Sequence, residues 1–106
     1  MQARRNRSTR SLWDPAYVDD SWIASVIRFI PQLRDWVNAY YPGTLIGITE
    51  YNWGPDLGTS AALAQAELLA IFGREGVDLA TRWVAPVAGS KVEDAFRLFL
   101  DYDGNG

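Results

Sequence analysis

The residues best suited to chemistry lie in the segment ITEYNWG, residues 48–54, where one carboxylate is followed by two aromatic side chains and a glycine. Glu50 follows a short apolar run that we interpret as a β-strand. A glutamate at the carboxyl end of a parallel strand occupies the place where α/β barrels keep catalytic groups. Tyr51 and Trp53 suit a site in which aromatic rings stack on sugar faces. The spacing is equally compatible with an ordinary strand-end Glu50 that points to water or caps the next turn.

Two further tryptophans are candidates for the same site. Trp83 ends the second predicted strand and could form the floor of a sugar site, and Trp13 lies in the first predicted loop. Core packing is the alternative for both, because tryptophan buries a large apolar surface. Trp22 and Trp36 fall on a helical stripe, so we predict that both are core residues.

Composition excludes several kinds of chemistry. The chain has no cysteine and no histidine, which removes thiolate and imidazole catalysis and the commonest transition-metal ligand. Ser60 has no histidine to act as its base, and we interpret it as a helix N-cap. The tail Asp101 to Gly106 matches the first half of a calcium loop but ends before the glutamate of position twelve. We therefore predict no cofactor and no metal.

Charge is distributed unevenly along the 106 residues, which is a length suited to one domain. The first ten residues contain Arg4, Arg5, Arg7 and Arg10, whereas the other 96 carry six basic and thirteen acidic side chains. We interpret residues 1–10 as a solvated, disordered arm and residues 11–106 as the folded domain. Its acidic character argues against a nucleic-acid groove. No signal peptide or membrane segment is visible, because no run of 7 to 15 apolar residues follows the arginines.

Periodicity and turn signals predict an α/β order of helix, strand, helix, strand and helix, with the two strands parallel through a right-handed crossover. The first helix should begin near Ser21 with Asp20 or Ser21 as N-cap, and Pro31 should kink or divide it. Alternation along the first strand places Ile46, Ile48 and Glu50 on one face. The predicted segments are a helix over 21–40, strands over 44–49 and 77–83, and helices over 61–72 and 92–102.

Four blocks, in this order, resemble glycoside hydrolase family 44: LWDPAYVDDSWI, YYPGTLIGITEYNWG, ALAQAELLAIFGREGVDLATRW and AFRLFLDYDGNG. The resemblance implies a fragment of a (β/α)8 TIM barrel that covers its last two strands and their helices. Members of the family are retaining endo-β-1,4-glucanases that act on cellulose derivatives or xyloglucan and are secreted. By this resemblance Glu50 is the nucleophile, and Trp83 borders the sugar site.

Retaining hydrolysis needs a second carboxyl group roughly 5 Å from the nucleophile. In the family it belongs to an Asn-Glu pair that this chain lacks, so the chain alone should hydrolyse little or no β-1,4-glucan or xyloglucan. The alternative is a non-catalytic carbohydrate-binding or interaction module in which Tyr51, Trp53 and Trp83 bind glucan. Two strands cannot close a barrel, so unpaired edges could also cause self-association.

Overall fold

The computed structural model describes residues 2–100, and the predicted calcium half-loop lies outside this range. Helix α1 spans Gln2–Ser8 and continues into a 3₁₀ turn over Thr9–Leu12. Strands and helices then alternate, which gives the small α/β unit that the sequence predicts. The later elements are α2 (Phe29–Tyr40), β1 (Gly47–Tyr51), α3 (Thr59–Arg74), β2 (Leu79–Arg82) and α4 (Lys91–Leu100).

The two strands pair in parallel within a two-stranded sheet, in the register that aligns Gly47 with Leu79 and Ile48 with Ala80. Asp78 fixes the start of the pairing, because its carboxylate accepts a hydrogen bond of 2.8 Å from the Ile46 amide. Its own amide donates to the Ile46 carbonyl at 2.9 Å. The carboxyl ends of β1 and β2 therefore lie at the same edge of the sheet, which we call the carboxyl edge.

Helix α3 contributes more residues to the hydrophobic core than any other element. Leu68, Ile71 and Phe72 pack with Tyr51 of β1 and with Ile30 of α2. The opposite side of α3 packs against α4, where Val92 and Ala95 are buried. Because α3 is 16 residues long, it spans about 24 Å and runs from the carboxyl edge to the opposite end of the sheet.

The basic N-terminal residues are not a disordered arm. They form α1 and the 3₁₀ turn, and Thr9 is fully buried. The physical reason is charge pairing with the acidic loop that follows: Arg7 bonds to Asp20 at 2.6 Å and Arg10 bonds to Asp14 at 2.6 Å. Two of the four arginines in the first ten residues are thus paired with carboxylates of that loop.

The first long helix begins at Phe29, eight residues later than predicted. Asp19 is the cause, because its carboxylate accepts a hydrogen bond from the Ser21 amide and makes a local turn that competes with a helix start. Residues 18–26 form instead a short antiparallel bridge between Val18 and Val26. Pro31 then lies in the first turn of α2, where the missing amide proton breaks no hydrogen bond of the helix. It is therefore compatible with the start of α2 and does not kink the helix.

This later start also corrects the predicted core. Trp22 is 92% exposed and Trp36 is 54% exposed, so neither is a core residue of the described chain. The predicted apolar stripe combined residues of the loop before α2 with residues of α2 itself. Trp22 belongs to that loop, so it does not lie on a face of the helix. No helix within residues 2–100 is both long enough and apolar enough to cross a bilayer.

Candidate active site

Glu50 lies at the carboxyl edge. A bulge in β1 turns it away from the face of Ile46 and Ile48, on which it was predicted to lie. The regular register stops after Ile48 and resumes only where Tyr51 pairs with Arg82. Glu50 has a φ of 61°, in the left-handed region that is unfavourable for residues other than glycine. The inserted residue makes Tyr51, rather than Glu50, continue the buried face of Ile46 and Ile48. Glu50 is exposed as a result.

The carboxylate of Glu50 makes no hydrogen bond or ion pair with any residue between 2 and 100. An exposed, unpaired carboxylate on a locally fixed backbone is available to a ligand at the carboxyl edge. This arrangement is chemically compatible with nucleophilic attack, and equally with the polar strand-end role that the sequence left open.

Trp83 stands immediately after β2 and is 58% exposed. Two hydrogen bonds hold its backbone next to the segment that contains Glu50. The Trp83 amide donates to the Tyr51 carbonyl at 2.8 Å, and the Asn52 side-chain amide donates to the Trp83 carbonyl. The Asn52 side chain also accepts a bond of 2.9 Å from the Gly54 amide. Glu50 and Trp83 therefore belong to two loops that are joined at their base.

A buried ion pair joins the same two loops farther out. The side chains of Arg82 and Asp56 are 5% and 13% exposed, and the guanidinium donates to one carboxylate oxygen. The other oxygen of Asp56 accepts a hydrogen bond of 2.7 Å from the Val87 amide, and Arg82 also donates to the Val84 carbonyl. Both oxygens of Asp56 are therefore occupied, and we assign this residue a structural role.

Tyr51 does not face the carboxyl edge, contrary to the prediction that its ring contacts sugar. It is only 7% exposed and packs edge-on against Phe72, with 5.1 Å between ring centroids. Its hydroxyl accepts a hydrogen bond of 2.9 Å from the buried Gln65 side chain. Burial raises the pKa of this hydroxyl. The bulge explains the error, because it exchanges the faces expected for Glu50 and Tyr51.

Trp53 is half-buried against the hydrophobic core, and its indole amine donates to the Ser8 hydroxyl at 2.9 Å. A second bond of 2.6 Å from Arg5 to the Ser60 hydroxyl joins α1 to the start of α3. Trp53 thus anchors helix α1 to the loop after β1. The predicted contact of its ring with sugar is not supported by this geometry.

Trp13 lies at the opposite end of the sheet from Glu50. The Arg74 guanidinium stacks on its ring at 4.5 Å from the centroid, and Arg74 is the last residue of α3. Since α3 begins at the carboxyl edge and runs away from it, Trp13 is remote from the candidate site. This position does not support a contact of Trp13 with a sugar at the carboxyl edge, and its role in substrate binding stays a prediction. Residues 2–100 also contain no cluster of three or more acidic side chains that could hold a metal ion.

Comparisons with curated proteins and with solved structures find relatives of this chain, although a search of protein-family models found no match. The chain is 42% identical over 108 residues to Endoglucanase A of Paenibacillus lautus, and the match covers 98% of the chain and 15% of the relative. It superposes on CelM2, a bifunctional glucanase-xylanase from a metagenome library, with a TM-score of 0.94 and 53% identity. That match covers 98% of the chain and 20% of CelM2.

A second similar structure is a xyloglucanase of glycoside hydrolase family 44 from Paenibacillus polymyxa, solved with xyloglucan. The TM-score is 0.83 at 35% identity, over 98% of the chain and 21% of the xyloglucanase. This chain belongs to glycoside hydrolase family 44. It spans about a fifth of the length of the solved structures that it matches and 15% of the curated relative.

The site of this family 44 chain contains residues that sequence reasoning did not select. Asn52, Asp56 and Arg82 hold the two loops of the carboxyl edge together. One signal was present: Asp56 is the single charged residue of the predicted loop over 51–60, and Arg82 lies near the end of the predicted strand over 77–83. Their partnership was not visible, because 26 residues separate them. Only the parallel pairing of β1 with β2 brings them into contact.

Proposed function

We propose that this chain is the nucleophile-bearing part of a family 44 hydrolase of β-1,4-glucan or xyloglucan, with Glu50 as the nucleophile. The observation that carries the proposal is the position of Glu50: an exposed, unpaired carboxylate at the carboxyl edge of a parallel pair of strands. Similarity to an endoglucanase and to a xyloglucanase solved with xyloglucan supports the substrate class. In this proposal β1 and β2 are two strands of a (β/α)8 barrel, whose active sites lie at the carboxyl ends of the strands.

The mechanism follows from the chemistry of retaining glycosidases. The Glu50 carboxylate attacks the anomeric carbon and forms a bond to it, while the glycosidic oxygen leaves with the electron pair of the broken bond. A second carboxyl group protonates the leaving oxygen and later removes a proton from the water that hydrolyses the intermediate. Asp56 is the acid nearest along the chain on this loop, and Arg82 and Val87 engage both of its oxygens. We therefore assign the acid/base role to no residue of this chain.

Glycosides that need no acid catalyst can test the nucleophile alone. In an activated 2-deoxy-2-fluoro-cellobioside, the dinitrophenolate leaving group departs without protonation. The fluorine of the sugar then slows hydrolysis of the glycosyl intermediate. We expect mass spectrometry of the intact chain and its peptides to find one cellobiosyl adduct, on Glu50. The Glu50→Gln variant should acquire none. An adduct on another residue, or no adduct at millimolar reagent, would contradict the assignment.

The unmodified polymer gives a second and independent measurement. Because the chain provides the attacking group without an assigned acid, we expect no release of reducing sugar from carboxymethylcellulose above that of the Glu50→Gln variant. Clear hydrolysis by the wild-type chain that Glu50→Gln abolishes would show that the acid is present after all.

The alternative of a non-catalytic carbohydrate-binding module now rests on Trp83. Tyr51 and Trp53 face the core and α1, so among residues 2–100 the exposed ring held beside the loop of Glu50 is that of Trp83. A titration with cellohexaose followed by tryptophan fluorescence tests it. Binding by wild-type protein that Trp83→Ala abolishes and Glu50→Gln leaves intact would favour the module over the hydrolase.

A further inference from the structure

Asn52 connects the segment of Glu50 with Trp83 through its side chain. It lies two residues after Glu50 and is exposed. Its side-chain oxygen accepts a hydrogen bond of 2.9 Å from the Gly54 amide, which makes a local turn of the kind that asparagine favours. Its side-chain nitrogen donates to the Trp83 carbonyl, which is 31 residues away in sequence. The two bonds use both ends of one amide group.

The chemistry of the two partners determines how the amide group of Asn52 points. A backbone N–H can only donate a hydrogen bond, and a backbone carbonyl can only accept one. The orientation with the oxygen toward Gly54 and the nitrogen toward Trp83 is the one that satisfies both partners. An ionised aspartate has the same shape but no donor, and glutamine is one methylene longer. Asparagine therefore fits this position better than either of them.

Both polar groups of the Trp83 backbone are bonded to residues beside Glu50. The Trp83 amide donates to the Tyr51 carbonyl at 2.8 Å, and the Trp83 carbonyl accepts from Asn52. Tyr51 and Asn52 are the two residues that follow Glu50 in the chain. The Trp83 side chain is therefore attached at a defined place relative to Glu50. Since more than half of Trp83 is exposed, these backbone bonds fix the residue more than packing of its ring does.

We propose that Asn52 is a positioning residue for the proposed reaction. By holding Trp83, it fixes the face on which a glucose ring stacks relative to the Glu50 carboxylate. This inference rests on the proposed function, in which Glu50 attacks a sugar that is bound beside Trp83. Attack needs reacting atoms that are aligned and about 3–3.5 Å apart, so a displaced ring slows the step although Glu50 itself is unchanged. Asn52 acts through Trp83 and not by contact with the sugar.

Fluorine NMR of the chain labelled with 5-fluorotryptophan tests the position of Trp83 in the absence of sugar. The Trp83→Phe variant assigns the resonance. We expect this resonance to move or broaden in Asn52→Asp and in Asn52→Ala, because each variant lacks the donor to the Trp83 carbonyl. Asn38→Asp is the matched control, since it makes the same change at an exposed asparagine of α2 and should leave the resonance in place.

Two results of this measurement would overturn the proposal. One is a Trp83 resonance that is unchanged in both Asn52 variants. The other is a change in Asn52→Asp that Asn52→Ala does not reproduce, because that is an effect of the new charge alone. Circular dichroism checks that each variant keeps its helices.

A double-mutant cycle tests whether Asn52 acts through Trp83. The measured quantity is the second-order rate at which the activated 2-fluoro-cellobioside labels Glu50. We expect Asn52→Ala to lower this rate by about tenfold or more in the wild-type chain and by less than about twofold in the Trp83→Ala chain, because residues that act through one contact are not additive. Asn38→Asp should be labelled at the wild-type rate. Equal losses in both backgrounds would mean that Asn52 acts on Glu50 or on the sugar directly, and would overturn the positioning role.

The two proposals can fail separately. If the wild-type chain acquires no adduct on Glu50, the proposed nucleophile is contradicted and the role of Asn52 in the reaction falls with it. The fluorine resonances would still show whether Asn52 holds Trp83. A labelled Glu50 together with an unchanged Trp83 resonance in both Asn52 variants would contradict the positioning role and leave the nucleophile intact.

Discussion

At the scale of single residues, the main determinants of the site are backbone conformations that most side chains avoid. Glu50 adopts a φ of 61° and Gly54 a φ of 112° within the same seven-residue segment. Left-handed backbone costs an L-residue about 1–2 kcal/mol. Glu50 is therefore less stable at its position than glycine would be, which fits a residue retained for its carboxylate.

Replacing Glu50 by glycine should stabilise the chain. We expect Glu50→Gly to raise the free energy of unfolding by about 1 kcal/mol, because glycine adopts a positive φ without strain. Urea unfolding followed by circular dichroism measures the change. Glu67→Gly is the control, since Glu67 lies in the middle of α3, where glycine should lower the same free energy by about 1 kcal/mol. A loss of stability in both variants would contradict a strained Glu50.

Gly54 should not tolerate a side chain. A Cβ atom there would lie 2.7 Å from the Arg5 guanidinium nitrogen, and the φ of 112° is one that other residues rarely adopt. We expect Gly54→Ala to cost about 1–3 kcal/mol in urea unfolding. Gly73→Ala gives the opposite expectation, because Gly73 lies in α3 with open space around it and alanine favours the helix. Equal effects of the two substitutions would count against a special conformation at Gly54.

At the scale of elements, the order of strands and helices was predictable from the sequence, and the residues that line the site were largely not. Apolar runs and glycine stops predicted β1, α3 and β2 in the correct order. Alternation could not predict the bulge, because an inserted residue leaves no mark on composition and reverses the faces of Glu50 and Tyr51. Trp13 shows the same limit, since its contact with Arg74 depends on how distant elements pack.

The ion pair between Asp56 and Arg82 should be essential for joining the loops after β1 and β2. Because both side chains are largely buried, Asp56→Asn leaves the Arg82 charge uncompensated, and we expect a loss of about 3 kcal/mol in unfolding free energy. Arg97→Gln is the comparison: the Arg97 side chain is 66% exposed, and its ion pair with Glu93 at the surface of α4 should contribute less than about 1 kcal/mol. Similar losses in the two variants would show that burial of the first pair has no energetic consequence.

At the scale of the whole molecule, the basic N-terminal residues and the acidic loop form one electrostatic unit. Arg7 holds the pKa of Asp20 below its ordinary value, and hydrogen bonds from Ser11 and Ser21 lower the pKa of Asp19. A hydrogen bond from the Ala16 amide, together with one from Arg10, lowers the pKa of Asp14. Each carboxylate stabilises the fold in its ionised form.

These shifts predict acid sensitivity. A carboxyl group whose folded pKa is depressed contributes stability above its unfolded pKa, near 3.8, and this contribution is lost as pH falls through the folded value. We expect the melting temperature to change little between pH 7 and pH 5 and to fall below pH 4. Asp20→Asn should flatten part of this decline, because it removes one of the carboxylates whose folded pKa is lowered. A melting temperature that rises on acidification would contradict the pairing.

The contacts of α1 also have a consequence for the order of folding. Its hydrogen bonds from Arg5 to Ser60 and from Trp53 to Ser8 close loops of 55 and 45 residues. Contacts so distant in sequence form slowly, because the entropy of the loop is lost before the contact is gained. α1 precedes β1 and α3 in the chain, yet these two anchors must wait until the segment around Glu50 has emerged from the ribosome and the start of α3 has followed. Helix α1 is therefore synthesised before the residues that anchor it and reaches its final place only after them.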